Sequence, residues 1–292
     1  PKATSLRMSD LGYTNSAQSA LQIEYGSLTK YIEKLRKAIR TESDEYKSIG
    51  VKVDGEYKQL NHNILQIENE LYAPVRPKQI TESGEKPTDA LERRGIRYVE
   101  LRALDVNPFS PYGITLEQMR VLDIFLLFCL FNERDTLTGE QQKEAEDNQD
   151  KVVLSGREVD LQLSKDGKAI GREAWLAQIF ADFEQIASWL DGHYGGRAYT
   201  MALESVQDSI VDPELTLAGR LMSTLLDKNL DNGCWGLEQA TGYKGMILDC
   251  EPNEFVGEYL SEKSEWSVAA RLDIEKADSV SFEEFLADYF SR

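Results

Sequence analysis

Glu100 and Arg102 stand two residues apart in the run Ile96 to Leu104, and on an extended chain that spacing puts both side chains on one face. Together they suit a phosphate site. A carboxylate is a hard oxygen ligand for Mg²⁺, and a guanidinium clamps a phosphoryl group in transfer. The same spacing equally describes an ordinary ion pair on a solvated sheet face, where alternating charges are common. Gln66, Glu68, Glu70 and Tyr72 form a second set, sharing one parity of an extended run from Asn63 to Tyr72. Four polar side chains on a covered strand face are costly unless that face lines a wet or metal-bearing cleft. A solvent-facing sheet accounts for them as well. Arg7, close to Tyr13 around Ser9-Asp10-Leu11-Gly12, could hold a small carboxylate, as could many surface loops.

The elements that must position these groups follow from periodicity. Leu28, Tyr31, Ile32, Leu35 and Ile39 form one apolar stripe, so Ser27 to Arg40 reads as a surface helix. Asp54-Gly55 between short β-prone runs predicts a tight hairpin, because that turn needs positive φ twice. Asn63 to Tyr72 reads as a third extended run that Pro74 and Pro77 end. Ser83-Gly84 and Pro87 read as an exposed loop. In the fourth run, Val99, Leu101 and Ala103 oppose Glu100 and Arg102, and this apolar face is expected to pack on helices. Asp105 to Pro111 reads as a rigid loop.

Past Gly113 the pattern turns helical. Thr115 with Gln118 makes a capping box before the apolar run Val121–Phe131. Asn132 to Gln149 is polar and acidic, a loose helix or solvated loop, and Val152 to Ile170 reads as short extended pieces around Asp166-Gly167. Helices are expected at Arg172–Leu190, Ala198–Val211 and Thr216–Asp227, with a last one capped by Ser281 and Glu284. Trp175 and Trp189 lie on helical stripes and read as core, and His193 as part of a helix-ending turn. Asn229 to Lys263 has little periodicity and is not assigned. The fold class is α+β, with an antiparallel sheet in residues 1–112 and a mainly helical region over 113–292.

Composition narrows the function. The 292 residues carry 51 Asp+Glu against 33 Lys+Arg, a formal charge of −18, which disfavours nucleic-acid binding because no large basic surface exists. Three scattered cysteines, Cys129, Cys234 and Cys250, form no metal or redox motif and point to a reducing, cytoplasmic setting. The longest apolar run is too short to span a bilayer. No Gly-x-x-x-x-Gly-Lys-Ser/Thr, Gly-x-Ser-x-Gly or Gly-x-Gly-x-x-Gly element is present, so nucleotide, if bound, is held in another way.

Read as strings, three segments carry more. Ala3-Thr-Ser-Leu-Arg7-Met-Ser-Asp-Leu-Gly-Tyr13-Thr-Asn15 closely resembles a segment of bacterial glutamate–cysteine ligases. So do Asn63-Ile-Leu-Gln-Ile-Glu-Asn-Glu-Leu-Tyr72-Ala-Pro-Val-Arg76-Pro-Lys78 and Tyr98-Val-Glu100-Leu-Arg102-Ala-Leu-Asp105-Val-Asn-Pro-Phe-Ser-Pro111. The resemblance implies a core similar to glutamine synthetase, incomplete here, in which an antiparallel sheet curves into a funnel. It implies ATP- and Mg²⁺-dependent joining of the glutamate γ-carboxylate to the cysteine amine through an acyl phosphate, the first step of glutathione biosynthesis. By the same resemblance Glu100 is a Mg²⁺ ligand and Arg102 stabilises the phosphoryl group of ATP. Arg7 binds a substrate carboxylate, and Tyr13 and Tyr72 position cysteine.

The start of this chain resembles the middle of such enzymes. The expectation is therefore a fragment lacking N-terminal metal ligands, inactive alone and open to self-association through an exposed sheet edge. Two other readings stay open: the same chemistry with a different amine acceptor, and a non-catalytic acidic interaction module.

Overall fold

In a computed structural model the described residues are 2–12, 18, 21, 23–132, 136–250 and 254–291. They form two compact units, Pro1–Trp235 and Gly236–Arg292. Tyr13 falls outside the described residues.

The first unit opens with α1 (Leu28–Ala38), capped by the Ser27 hydroxyl, which accepts from the Lys30 N–H. Its apolar stripe joins Leu65, Leu71, Ala73 and Leu91 in one buried cluster. A short helix α2 (Asp44–Ile49) follows, then β1 (Lys52–Val53) and β2 (Glu56–Tyr57). Asp54 and Gly55 both take the positive φ that the hairpin turn requires.

The expected strand from Asn63 to Tyr72 is not formed. Most of this stretch is irregular, with one 3₁₀ turn over Glu68–Glu70. Side chains here bond nearby backbone in place of a neighbouring strand: the Glu70 carboxylate accepts from the Gln66 N–H, the Gln66 amide oxygen from the Leu60 N–H just before the stretch, and Asn61 donates to the Gln66 carbonyl. Such local bonds compete directly with a sheet ladder.

Pro77 does not end a strand either. It lies within β3 (Val75–Lys78), which pairs antiparallel with β4 (Tyr98–Leu101) in the register Arg76 to Glu100 and Pro77 to Val99. Between them comes α3 (Pro87–Arg94), where a loop was expected. Pro87 stands in its first turn, where a missing N–H costs nothing. The faces of the β3–β4 ribbon are inverted relative to expectation. On the polar face Arg76 is buried and Glu100 and Arg102 are half-buried, although Tyr98 at its end is exposed, while on the apolar face Val99 is 48% exposed, Ala103 is exposed and Leu101 is half-buried. The buried cluster of α1 is completed by the 65–73 segment and Leu91 of α3, and Val99, Leu101 and Ala103 are not among its buried residues.

After the ribbon, α4 (Leu116–Phe131) starts at the Thr115–Gln118 capping box. The acidic stretch becomes a regular helix, α5 (Gly139–Ser155), begun by a second capping box of Thr138 and Gln141. The hairpin β5 (Gln162–Lys165) and β6 (Lys168–Gly171) turns at Asp166-Gly167. The helices α6 (Arg172–Tyr194) and α7 (Ala198–Val211) then pack with α4. Ile124, Phe183, Ala187, Leu190 and Leu203 form the buried centre of that bundle. Trp189 is 58% exposed and stacks on His193 instead of entering the core. The unit continues with α8 (Leu217–Lys228) and the start of α9 (Asn232–Leu248), which supplies the unassigned stretch with a helix. The second unit holds the rest of α9 with α10 (Glu254–Ala277) and α11 (Phe282–Ser291), the last begun by Ser281 and Glu284 as expected. Among the described residues, no helix is long and apolar enough to cross a membrane.

Candidate functional site

The β3–β4 register fixes a charged face. In an antiparallel pair, residues directly opposite share a face, so Arg76 stands against Glu100. Lys78 and Arg102 lie one pleat repeat to either side. The Arg102 N–H bonds the Pro74 carbonyl at 2.7 Å, which carries the pairing one rung past β4. Arg102 Nη2 lies 3.1 Å from Glu100 Oε1, and Lys78 Nζ lies 4.0 Å from Glu100 Oε2. Arg76 is only 5% exposed and donates from Nη2 to the Asn69 carbonyl. Three cations thus surround one carboxylate. Burial opposes ionisation of Glu100, but Arg102, with Lys78 and Arg76, outweighs it and holds the carboxyl below the usual glutamate range.

Glu100 Oε2 is buried and accepts no hydrogen bond among the described residues. Lys78 Nζ, 4.0 Å away, is too distant to bond it, so this oxygen keeps its capacity to accept from a donor or a cation.

Beside this face opens a cleft of about 530 Å³. Arg76 and Arg102 form one wall. Gln66, Asn69, Glu70 and Tyr72 form another, and Tyr46, Ile49, Lys58 and Gln59 complete it. The 68–72 segment reaches the cleft because both its ends are fastened. Glu68 turns away from Gln66, Glu70 and Tyr72 into the interior. Its two oxygens accept from the Thr88 N–H at 2.7 Å and the Thr88 hydroxyl at 2.6 Å, capping α3. Burial pushes the Glu68 carboxyl up despite those bonds. Buried Gln18 straps the other end, donating to the Glu70 carbonyl at 2.9 Å and accepting from the Tyr72 N–H at 2.8 Å.

Arg7 comes to the same end of β4 as Arg102. Its Nε donates to the Arg102 carbonyl, and its backbone N–H to Asp105 Oδ1 at 2.9 Å. Asp105 also bonds the Ser5 hydroxyl, whose oxygen accepts from the Met8 N–H at 3.0 Å. Of the five residues to which the resemblance gives a role, Arg7, Tyr72, Glu100 and Arg102 are therefore placed near one another, and the fifth, Tyr13, is not described. Arg76, Lys78 and Gln18 were not among the candidates. Pro77 masked the first two by making Val75–Lys78 read as a strand end, and nothing in the local sequence marks Gln18.

Comparison with known proteins adds an independent line. Residues 1–152 match the sequence profile described as glutamate-cysteine ligase. A glutamate–cysteine ligase from Vibrio vulnificus is 44% identical over 293 aligned residues, covering 100% of this chain and 56% of that protein. One from Shewanella oneidensis is 43% identical over 99% of this chain and 55% of its own length. In three dimensions the chain resembles the crystal structure of a Francisella tularensis glutamate–cysteine ligase in complex with AMP. The TM-score is 0.90 at 31% identity, over 99% of this chain and 57% of that one. A bifunctional glutathione synthetase from Pasteurella multocida shares the fold, with a TM-score of 0.58 at 22% identity, over 84% of this chain and 27% of that one. The chain spans a little over half the length of the curated relatives it matches.

Proposed function

The chain belongs to the glutamate–cysteine ligase family, and on that premise we propose that it carries part of the active site for ATP-dependent joining of glutamate to cysteine in the cytoplasm. The observation that carries this reading is the polar face of the β3–β4 ribbon. Arg102 is paired to Glu100 on that face, beside a cleft that can hold small polar molecules. The AMP complex of the Francisella relative supports nucleotide as one of the ligands.

A carboxylate does not react with an amine unless its oxygen is first made a leaving group. In this reading the glutamate γ-carboxylate takes the terminal phosphoryl group of ATP, and the amine of cysteine then displaces phosphate. The transferring group spreads negative charge over its oxygens, and Arg102 neutralises it from a position fixed by Glu100. Arg7 holds a substrate carboxylate beside the Arg102 carbonyl, and Tyr72 orients cysteine from the cleft wall; Tyr13, which lies outside the described residues, shares that role by the family resemblance alone. Mg²⁺ fits the donor set in one respect. The unbonded Glu100 Oε2 is a hard anionic oxygen of the kind that ion prefers, and the ion would supply charge neutralisation at phosphate. Among the described residues no group of three or more His, Cys, Asp or Glu could hold a metal ion, and Glu100 alone does not hold Mg²⁺ against water, so we propose that the 292-residue polypeptide by itself is inactive.

Arg102→Ala in the intact enzyme tests the reading by coupled ADP release dependent on glutamate and cysteine. Loss of a transition-state charge partner predicts a fall in kcat of about 10²-fold or more. Unchanged turnover would overturn it in favour of a non-catalytic module.

A further inference from the structure

The ligase reading leaves one proton unassigned. An amino-acid amine is largely protonated at neutral pH and has no lone pair to attack with until that proton leaves. Glu70 is the one carboxylate among the described residues lining the cleft that also holds Tyr72, Arg76 and Arg102. We infer that Glu70 is a catalytic residue, binding the ammonium of the amine acceptor and taking its proton before attack.

Three features of the site support this. Gln18 bridges the Glu70 carbonyl and the Tyr72 N–H across buried Leu71, so the two side chains are presented to the cleft as one rigid unit. Glu70 Oε2 is fixed by the Gln66 N–H at 2.7 Å, while Oε1 accepts no hydrogen bond among the described residues. The carboxylate is therefore oriented, with one oxygen open to a donor. Buried Arg76 and half-buried Arg102, which line the same cleft, disfavour a further positive charge there and so ease proton loss from an ammonium held in it. Lys58 also lines the cleft but is committed to Glu56, with Nζ to Oε2 at 2.8 Å.

The ammonium N–H bond breaks and its proton passes to Glu70, leaving the electron pair on nitrogen. That pair forms the C–N bond to the acyl carbon. The C–O bond to phosphate breaks with its electrons on the departing phosphate, which takes the second nitrogen proton to leave as hydrogen phosphate. Glu70 then returns its proton to water.

The inference rests on the ligase reading, so its test must separate the two. Glu70→Gln keeps an oxygen for the Gln66 N–H but cannot accept a proton. In the intact enzyme it is assayed with cysteine and with hydroxylamine, an amine already unprotonated at neutral pH that yields the γ-glutamyl hydroxamate. Turnover with cysteine should fall about 10²-fold or more, while hydroxylamine turnover falls far less. Equal loss with both acceptors, or no loss with cysteine, overturns the role of Glu70. If Arg102→Ala collapses turnover in the same assays, the ligase reading stands whichever way Glu70 falls. If it does not, that reading fails first.

Discussion

Removing the Glu68 side chain should unfasten the wall that carries Glu70 and Tyr72. Glu68 is buried and serves two donors of one residue, the Thr88 N–H and hydroxyl, and Thr88 is itself fully buried. Glu68→Ala strands both donors away from water. An abandoned buried donor costs about 1–3 kcal/mol, so the pair amounts to roughly 2–5 kcal/mol if the hydroxyl partly recovers by rotating. Glu68→Gln is expected to cost about 1 kcal/mol or less. Its amide oxygen can accept from the Thr88 N–H while its NH₂ donates to the hydroxyl, which also accepts from Arg36 Nε at 3.3 Å, so only the hydroxyl proton loses its acceptor.

The pH dependence separates the variants further. Burial raises the Glu68 carboxyl in the folded state, against the pull of Thr88. A raised folded value means that protonation favours the fold. The contribution is complete below the unfolded value of about 4.3 and is lost as pH rises through the folded one. The wild type should therefore gain stability over Glu68→Gln on acidification into that range. Urea midpoints of the intact enzyme, with amide exchange at Thr88, measure both effects. Equal midpoints for the Ala and Gln variants at pH 7 would refute the capping account.

Gln18→Ala frees the Glu70–Tyr72 unit without touching the charged face, so KM for cysteine should rise about tenfold while KM for ATP holds, as initial-rate kinetics would read. Asp191 caps α7, accepting from the Tyr199 N–H, the Thr200 N–H and the Thr200 hydroxyl. Asp191→Ala should lower stability by about 1–2 kcal/mol in denaturant titration. Although burial opposes it, the Asp191 carboxyl is lowered by Thr200 and Tyr199, so this contribution is present above the unfolded value of about 3.9 and is lost as pH falls below it. Phe183→Ala opens the centre of the helical bundle and should cost about 3–5 kcal/mol, whereas exposed Trp189→Ala should cost under about 1 kcal/mol in the same measurement.

Much of the fold was legible because its signals are local. The α1 stripe, the Asp54-Gly55 turn and the Thr115–Gln118 box each carry their whole cause within a few residues, and each stands where expected. So does the shared face of Glu100 and Arg102, which depends only on the two-residue repeat of a strand. The failures needed partners from elsewhere. Asn63–Tyr72 alternates like a strand, but Thr88 and Gln18 decide where Glu68, Glu70 and Tyr72 go, and neither can be inferred from the alternation. Trp189 fits its helical stripe, yet the bundle fills with Phe183 and Leu190 before reaching it. The orientation of the β3–β4 ribbon failed for the same reason: polarity along the strand does not say which side the chain will cover.

Pro77 gives that ribbon unequal margins. The bond from the Arg102 N–H to the Pro74 carbonyl makes alternate pairs the bonded ones, so Arg76 opposite Glu100 exchanges bonds and Pro77 opposite Val99 does not. The Pro77 nitrogen therefore sits on the outer rim of β3, where it has no hydrogen to give. A strand arriving on that rim would skip a rung, while one arriving along β4 meets the N–H groups of Val99 and Leu101 in sequence. Growth of this sheet by backbone pairing is thus directional, guarded on one flank and open on the other.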